Sequence, residues 1–345
     1  MQKLRLGIVG PGLIWERAHR PEVERLQDAF EVTAFSARSQ ATAEKVRAAY
    51  PHARFHYDYH DLVNDAYVDA AVILTPIPLN APVASATLEA GKAAFLEKPI
   101  GVSVEEARAL CELEDRSEGR IYVLEQAPYG PVWDTMERTL QQGGVGRAVA
   151  YETARHARLE AHTSGERSFG DTEWRIRPEY PLGVLFDGGV HELSTQARLF
   201  GAPTHVHAVG RSYRAGYGEV DHVSVILEYP DGLFGVFTHS GVLGGRSDYF
   251  ILRGTEGLIR YTPDELILED ATGTHRELPR SDISPHRAMW GHFVECLHEG
   301  RTPRYTSRDA LREIETLAAI EEAIRTGMRT AVRRAVTGPP RERSS

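Results

Sequence analysis

Three polar residues able to move a proton or hold a charged oxygen stand out in this chain: Lys98, Asp187 and His191. Lys98 directly follows the apolar run Ala93–Glu97. A lysine at a strand end can hydrogen-bond a hydroxyl and stabilise negative charge as that oxygen becomes an alkoxide. His191, with an intrinsic pKa of about 6.5, can take or return a hydroxyl proton near neutral pH. Asp187 stands four positions earlier, a spacing that puts both side chains on one face of a helix. The flanking "PLG" and "GG" let the backbone come close to a ligand. By residue type alone, the lysine equally suits a solvated strand end. The aspartate equally suits a helix N-cap, and the histidine a hydrogen-bonded core position.

A second constellation lies at the start of the chain, in "GIVGPGLIW" (Gly7 to Trp15). Gly10 and Gly12 occupy the first two positions of G-x-G-x-x-G, between a strand pattern and a helix pattern. There the first glycine permits a tight turn and the second lets the backbone approach a pyrophosphate on the helix N-terminus. Trp15 replaces the third glycine, which normally allows close helix–strand packing. Its ring is expected to point away from that contact, toward a cofactor or the domain cleft. The second strand ends in "SARS", with Ala37 where an acid would bind an adenosine ribose and Arg38 beside it. Loss of the carboxylate and gain of a guanidinium favour a 2′-phosphate, hence NADP(H) over NAD(H). A solvated arginine opening a helix is the plainer alternative.

These residues need elements to position them. Lys3–Val9, Glu31–Ala37, Asp69–Thr75, Ala93–Glu97 and Ile121–Gln126 read as strands. Their unbroken apolar character suits a parallel sheet covered on both faces. Helix patterns intervene at Thr42–Ala49, Pro82–Ala90 and Val104–Arg116, the last with Ser103 and Glu106 at capping-box spacing. The expected architecture is α/β, an N-terminal Rossmann doubly wound parallel sheet over residues 1–124. Beyond residue 150, "HVSVILEYPDGLFGVFTHSG" reads as a hairpin around Pro230-Asp231-Gly232. Short strands with glycine turns follow, and helices are expected near Gly188–Phe200, Pro285–His298 and Ser307–Arg325. Residues 125–337 therefore read as an α+β substrate-binding and oligomerisation domain with a large, mainly antiparallel sheet. Residues 338–345 read as a disordered tail.

Bulk properties narrow the function classes. The 345 residues suit two domains, and 41% hydrophobic with 26% charged content is ordinary for a globular protein. A net charge of −9 argues against a nucleic-acid or anionic-membrane footprint. The first residues enter a strand pattern without a signal-like segment, and no run reaches the ~20 apolar residues of a membrane span. Cys111 and Cys296 are far apart and read as reduced structural thiols. The expected setting is cytoplasmic. His205 and His207 face the same side of a probable strand, but no third ligand follows by spacing, and no metal is expected.

Several segments together carry a family resemblance. "AGKAAFLEKPIGVSVEEARAL" resembles the Glu-Lys-Pro signature of the glucose–fructose oxidoreductase, inositol dehydrogenase and rhizopine-catabolism (Gfo/Idh/MocA) family. "VILTPIPLNAPVASATLEAGK", "TEWRIRPEYPLGVLFDGGVHELSTQARLFG" and the C-terminal "HFVECLHEGRTPRYTSRDALREIETLAAIEEA" are similar to other family segments, in the same order. The resemblance implies an NAD(P)-dependent oxidoreductase acting on a secondary alcohol or carbonyl of a sugar, cyclitol or related diol. It implies cofactor contacts from Gly10, Gly12, Leu13, Ile14, Ser36, Arg38, Ser39, Thr75, Pro76, Glu97 and Lys98. Trp174 and Arg175 join them, facing cofactor or substrate, or serving only packing. Lys98, Asp187 and His191 become the catalytic set, with Tyr129, Asp187 and His191 toward substrate. Arg155, His156, Arg158 and His162 sit in loops expected to face substrate. A homodimer or homotetramer is implied as well. Two other classes stay open: an NAD-dependent glycoside hydrolase of the same family, and a non-catalytic NADP(H)-sensing protein. The chain departs from the family at Asn80, where histidine is common, and at Ser194 and Thr195, where a second acid is frequent. A single Gly183 also stands where two or three glycines are often found.

Overall fold

A computed structural model describes residues 3–159, 168–245 and 247–334. His162 and the expected tail at 338–345 lie outside the described residues. The chain forms two compact units, the first running to Gln126 and including His286–Leu311, the second comprising Ala127–Pro285 and Arg312–Arg334.

The first unit is built on a six-stranded sheet: β1 (Leu4–Val9), β2 (Phe30–Ser36), β3 (Arg54–His56), β4 (Ala70–Ile73), β5 (Ala93–Leu96) and β6 (Ile121–Val123). Their order is β3-β2-β1-β4-β5-β6 and every pairing is parallel. The order turns at β1/β4, the switch point outside which ligands bind in such sheets. All four residues of β4 and all three of β6 are buried, so nothing selects polar alternation. Helices α1 (Arg20–Arg25), α2 (Gln40–Ala49), α3 (Tyr59–Val63), α4 (Asn80–Glu89) and α5 (Val104–Arg116) connect the strands. The Ser103 hydroxyl accepts the Glu106 amide at the start of α5, while the Glu106 carboxylate accepts the Val102 amide. The short β3 and α3 carry little apolar pattern, and only the structure reveals them. Further along, α10 (Pro285–Glu299) brings Trp290 to stack on Phe95 at 5.2 Å, with Phe293 beside both.

The second unit carries a nine-stranded sheet of β7 (Ala148–His156), β8 (His205–Arg211), β9 (His222–Glu228), β10 (Phe234–Ser240), β11 (Ser247–Gly254), β12 (Gly257–Tyr261), β13 (Leu266–Asp270), β14 (His275–Glu277) and β15 (Thr330–Ala331). The order β14-β13-β12-β11-β7-β10-β9-β8-β15 is antiparallel throughout except for the parallel pair β7–β10. The expected hairpin is β9–β10. Helices α6 (Pro131–Gln141), α7 (Glu173–Ile176), α8 (Val184–Gly188) and α9 (Val190–Phe200) belong to this unit, and α11 (Ser307–Thr326) enters it at Arg312. Strands β8 to β10 alternate buried and exposed positions. In the core, the Tyr151, Phe200 and Phe250 rings pack against one another with centres 5.0 to 6.4 Å apart, and the Tyr151 hydroxyl meets that of Tyr229 at 2.7 Å.

Both cysteines are free and buried. Among the described residues, no helix is long and apolar enough to cross a membrane.

Candidate active site

Because the first sheet is parallel, the carboxyl ends of β1, β4 and β5 lie side by side. The loop after β1 is tied to its neighbour by the Gly10 amide, which donates to the Ser36 carbonyl at 3.0 Å. Gly10 has φ +77°, and a Cβ there would stand 2.8 Å from the Leu74 carbonyl oxygen. Gly12 has ordinary φ and is exposed, and a Cβ there would find only the Gly10 carbonyl oxygen, at 3.9 Å. Gly10 thus serves the turn, while Gly12 leaves open space above the loop. That open cradle at a helix start fits a dinucleotide pyrophosphate, which backbone groups of the loop would hold.

Trp15 does not point away from the helix–strand contact, contrary to the expectation from sequence. Its side chain is buried, edge-on to Phe35 of β2 at 6.2 Å between ring centres. The helix accommodates an indole where glycine is usual by opening into a π-helical turn over Trp15–His19. Burial of the large ring offsets the looser helix–strand approach.

Arg38 is exposed and, among the described residues, has no hydrogen-bond or ion-pair partner, leaving its guanidinium available. Ser36 is buried at the end of β2. Ser39 is spent locally, its hydroxyl accepting the Thr42 amide as the N-cap of α2.

The Glu97-Lys98-Pro99 turn follows β5, with Glu97 buried, Lys98 half-buried and the Lys98–Pro99 peptide bond cis. Asn80, fully buried, anchors it by donating to the Glu97 carbonyl (3.1 Å) and the Pro99 carbonyl (2.9 Å). Asn80 accepts the Thr75 hydroxyl at 2.8 Å, and Pro76 continues that segment in extended backbone. The asparagine that departs from the family pattern is therefore a structural brace of this turn. Glu97 accepts from His19 Nε2 at 2.8 Å and from the Lys98 amide at 3.1 Å. Burial pushes the Glu97 carboxyl up, but the His19 hydrogen bond and the nearby Lys98 charge outweigh it and hold the group below its ordinary range.

The second unit gathers the other set. Asp187 and His191 do not share an unbroken helix: α8 ends at Gly188 and α9 begins at Val190, with Gly189 between them at helical dihedrals. Arg175 donates through Nε to Asp187 Oδ2 at 2.6 Å, and its guanidinium lies 4.0 Å from the Trp174 ring centre. Asp187 is thus a paired carboxylate and not a helix N-cap. His191 is half-buried and its carbonyl accepts the Ser194 hydroxyl. Tyr129 is 2% exposed within the turn Ala127–Tyr129. Arg155 and His156 end β7, followed by exposed Arg158.

Sequence reasoning passed over Glu192, which follows His191 and is half-buried, its side chain 11% exposed. It pairs with Arg155 Nη1 at 3.2 Å and accepts from His239 Nδ1 at 3.1 Å. Burial pushes this carboxyl up, but the Arg155 charge and the His239 bond prevail and bring it down to about 2. The His239 ring lies against Gly188, where a Cβ would approach it to 2.9 Å. The glycine beside Asp187 is therefore a condition of that packing. Only the adjacency of Glu192 to His191 could have hinted at this group. Among the described residues, no group of three or more His, Cys, Asp or Glu side chains is arranged to hold a metal ion.

Comparison with known proteins agrees with this arrangement. Residues 4–125 match the model of the oxidoreductase family with an NAD-binding Rossmann fold, and residues 133–260 match the GFO/IDH/MocA C-terminal domain. The chain is 29% identical over 339 residues to trans-1,2-dihydrobenzene-1,2-diol dehydrogenase of Mus musculus, covering 93% of this chain and 96% of that one. A crystal structure of an oxidoreductase from Thermotoga maritima superposes with TM-score 0.86 and 26% identity, covering 96% and 99% of the two chains. Levoglucosan dehydrogenase with NADH and levoglucosan has the same fold, with TM-score 0.84, 18% identity and coverage of 96% and 100%.

Proposed function

The chain belongs to the GFO/IDH/MocA family of NAD(P)-dependent oxidoreductases, and from that premise we propose that it interconverts a secondary alcohol and its carbonyl on a cyclic diol, sugar or cyclitol. The observation that carries this reading is the braced Glu97-Lys98-Pro99 turn beside the open Gly10–Gly12 cradle. When bound, the nicotinamide supplies the hydride chemistry. The assignment to Lys98 is to hydrogen-bond the reacting oxygen and stabilise its negative charge. His191 is assigned the hydroxyl proton, and the Arg175-paired Asp187 a fixed carboxylate next to it. The diol named in the mammalian relatives and the sugar bound by levoglucosan dehydrogenase support the substrate class.

The available Arg38 guanidinium supports NADP(H) over NAD(H), because a 2′-phosphate accepts several hydrogen bonds from it. A homodimer or homotetramer through the outer sheet face is supported by Val209, Ile226, Phe234 and Val236, all exposed on neighbouring strands β8, β9 and β10. A cytoplasmic setting and a small-molecule partner, with neither nucleic acid nor membrane, fit the charge and the free thiols.

The test is an absorbance screen at the reduced-nicotinamide band over diols, sugars, cyclitols and their ketones, with both cofactors. Turnover of at least one compound is expected, lost in Lys98→Ala. Arg38→Ala should weaken NADPH and leave NADH unaffected. Undiminished turnover in Lys98→Ala removes the catalytic assignment.

A further inference from the structure

The Glu97-Lys98-Pro99 turn rests on a side chain with no exposed surface, His19 at the end of the π-helical turn. Trp290 Nε1 lies 3.1 Å from His19 Nδ1. An indole N–H can only donate, so Nδ1 is the bare, accepting nitrogen and the ring proton sits on Nε2. That Nε2–H points at Glu97 Oε1, 2.8 Å away, while Glu97 Oε2 accepts the Lys98 amide. Both oxygens accept, which makes Glu97 the anion. The bonds thus run in one direction, from Trp290 through His19 to Glu97, with Lys98 joining from the far side. Glu97 and the His286 ring, edge-on at 5.6 Å, lie against His19, and the Lys98 and His286 charges act on Glu97 as well.

We infer that His19 is a positioning residue for Lys98: a neutral imidazole, locked by Trp290 in its Nε2–H tautomer, fixes the Glu97 carboxylate and through it the turn that carries the lysine. The inference rests on the reading of Lys98 as the group that holds the reacting oxygen. A buried network of this kind, fully satisfied, holds one geometry, and loss of one member is felt at the next. A displacement of about 1 Å at a reacting group is sufficient for ~100-fold in rate.

The experiment combines imidazole nitrogen spectra of the uniformly labelled full-length protein with the kinetics of three variants. The spectra should show His19 with bare Nδ1 and protonated Nε2 at the pH of the kinetic assay. His19→Phe, which removes both bonds, should lower kcat by roughly 10- to 100-fold with cofactor Kd changed less than ~3-fold. His19→Gln keeps a donor for Glu97 and an acceptor for Trp290, and should recover most of that loss. Trp290→Phe removes the donor to Nδ1 and should let the ring populate its Nδ1–H tautomer, visible in the same spectra, with a fall in kcat. This arm stands even where His19→Phe does not fold. A wild-type His19 protonated at Nδ1, equal kcat in the Phe and Gln variants, or an unchanged tautomer and kcat in Trp290→Phe overturns the inference. Lys98→Ala is measured alongside. Loss of turnover there without any His19 effect refutes the positioning role alone, and retained turnover refutes the reading of Lys98 and the inference with it.

Discussion

On the proposed reading the two glycines of the first loop divide folding from cofactor binding, and alanine at each should fail in a different way. At Gly10 an alanine enters the left-handed region, φ +77°, at a cost of about 1–2 kcal/mol. Its Cβ also meets the Leu74 carbonyl oxygen at 2.8 Å and the carbonyl carbon at 3.1 Å. Both are backbone atoms at the end of β4, so relief requires a shift of the strand end and adds about 1–2 kcal/mol. The cofactor-free Gly10→Ala protein should melt roughly 5–10 °C below wild type. At Gly12 the added methyl meets open space and ordinary φ, so cofactor-free stability should change by less than ~1 kcal/mol, if anything upward.

On the proposed reading the same methyl fills the cradle for the pyrophosphate, and binding should weaken about 30-fold, or roughly 2 kcal/mol. NADPH at 100 times the wild-type Kd stabilises the wild type by about 2.7 kcal/mol; in Gly12→Ala the same concentration supplies only about 0.9 kcal/mol. Calorimetric titration and melting with and without NADPH read both quantities. Wild-type affinity in Gly12→Ala, or an equal loss of cofactor-free stability in the two variants, would falsify the division of roles.

Trp15→Ala should destabilise the protein by about 3–5 kcal/mol, since it empties the space against Phe35, while NADPH affinity measured under stabilising conditions stays within ~3-fold. A large affinity loss without destabilisation would return the indole to the cofactor side. Arg175→Leu leaves the Asp187 carboxylate, 13% exposed, without its 2.6 Å partner, at a cost of roughly 2–3 kcal/mol, and turnover should fall with it. Undiminished melting temperature and turnover would remove the pair from the argument. Glu192 supplies an acid signature. Its folded pKa, about 2, lies below the unfolded value of about 4.3. The linked stability, roughly 3 kcal/mol, is complete above the unfolded pKa and is lost as pH falls through the folded one. Glu192→Gln should flatten the fall in denaturation free energy between about pH 4.5 and about pH 2, and an unchanged slope contradicts the assignment.

Much of the candidate site was legible in the sequence. The Gly10-x-Gly12 spacing, the apolar runs ending at Val9, Thr75 and Glu97, and Lys98 after the third of these are local signals. Strand periodicity and turn chemistry act over a few residues, so the chain states them directly. The same holds for the hairpin at Asp231-Gly232 and the cap at Ser103. Where several alternatives suited one residue, the segment order of the whole chain narrowed them.

Tertiary structure decided what depends on partners distant in sequence. Trp15 went into the core because the helix opened by a π turn against Phe35. Asn80 became a brace because α4 starts beside β5. Glu192 stays ionised through Arg155 and His239, neither of them near it in sequence. The tautomer of His19 is fixed by Trp290, 271 positions away. Residue type and spacing state which chemistry is available. Which groups are desolvated together, and so which protons are held in place, follows only once the sheet and α10 have brought them within hydrogen-bonding distance.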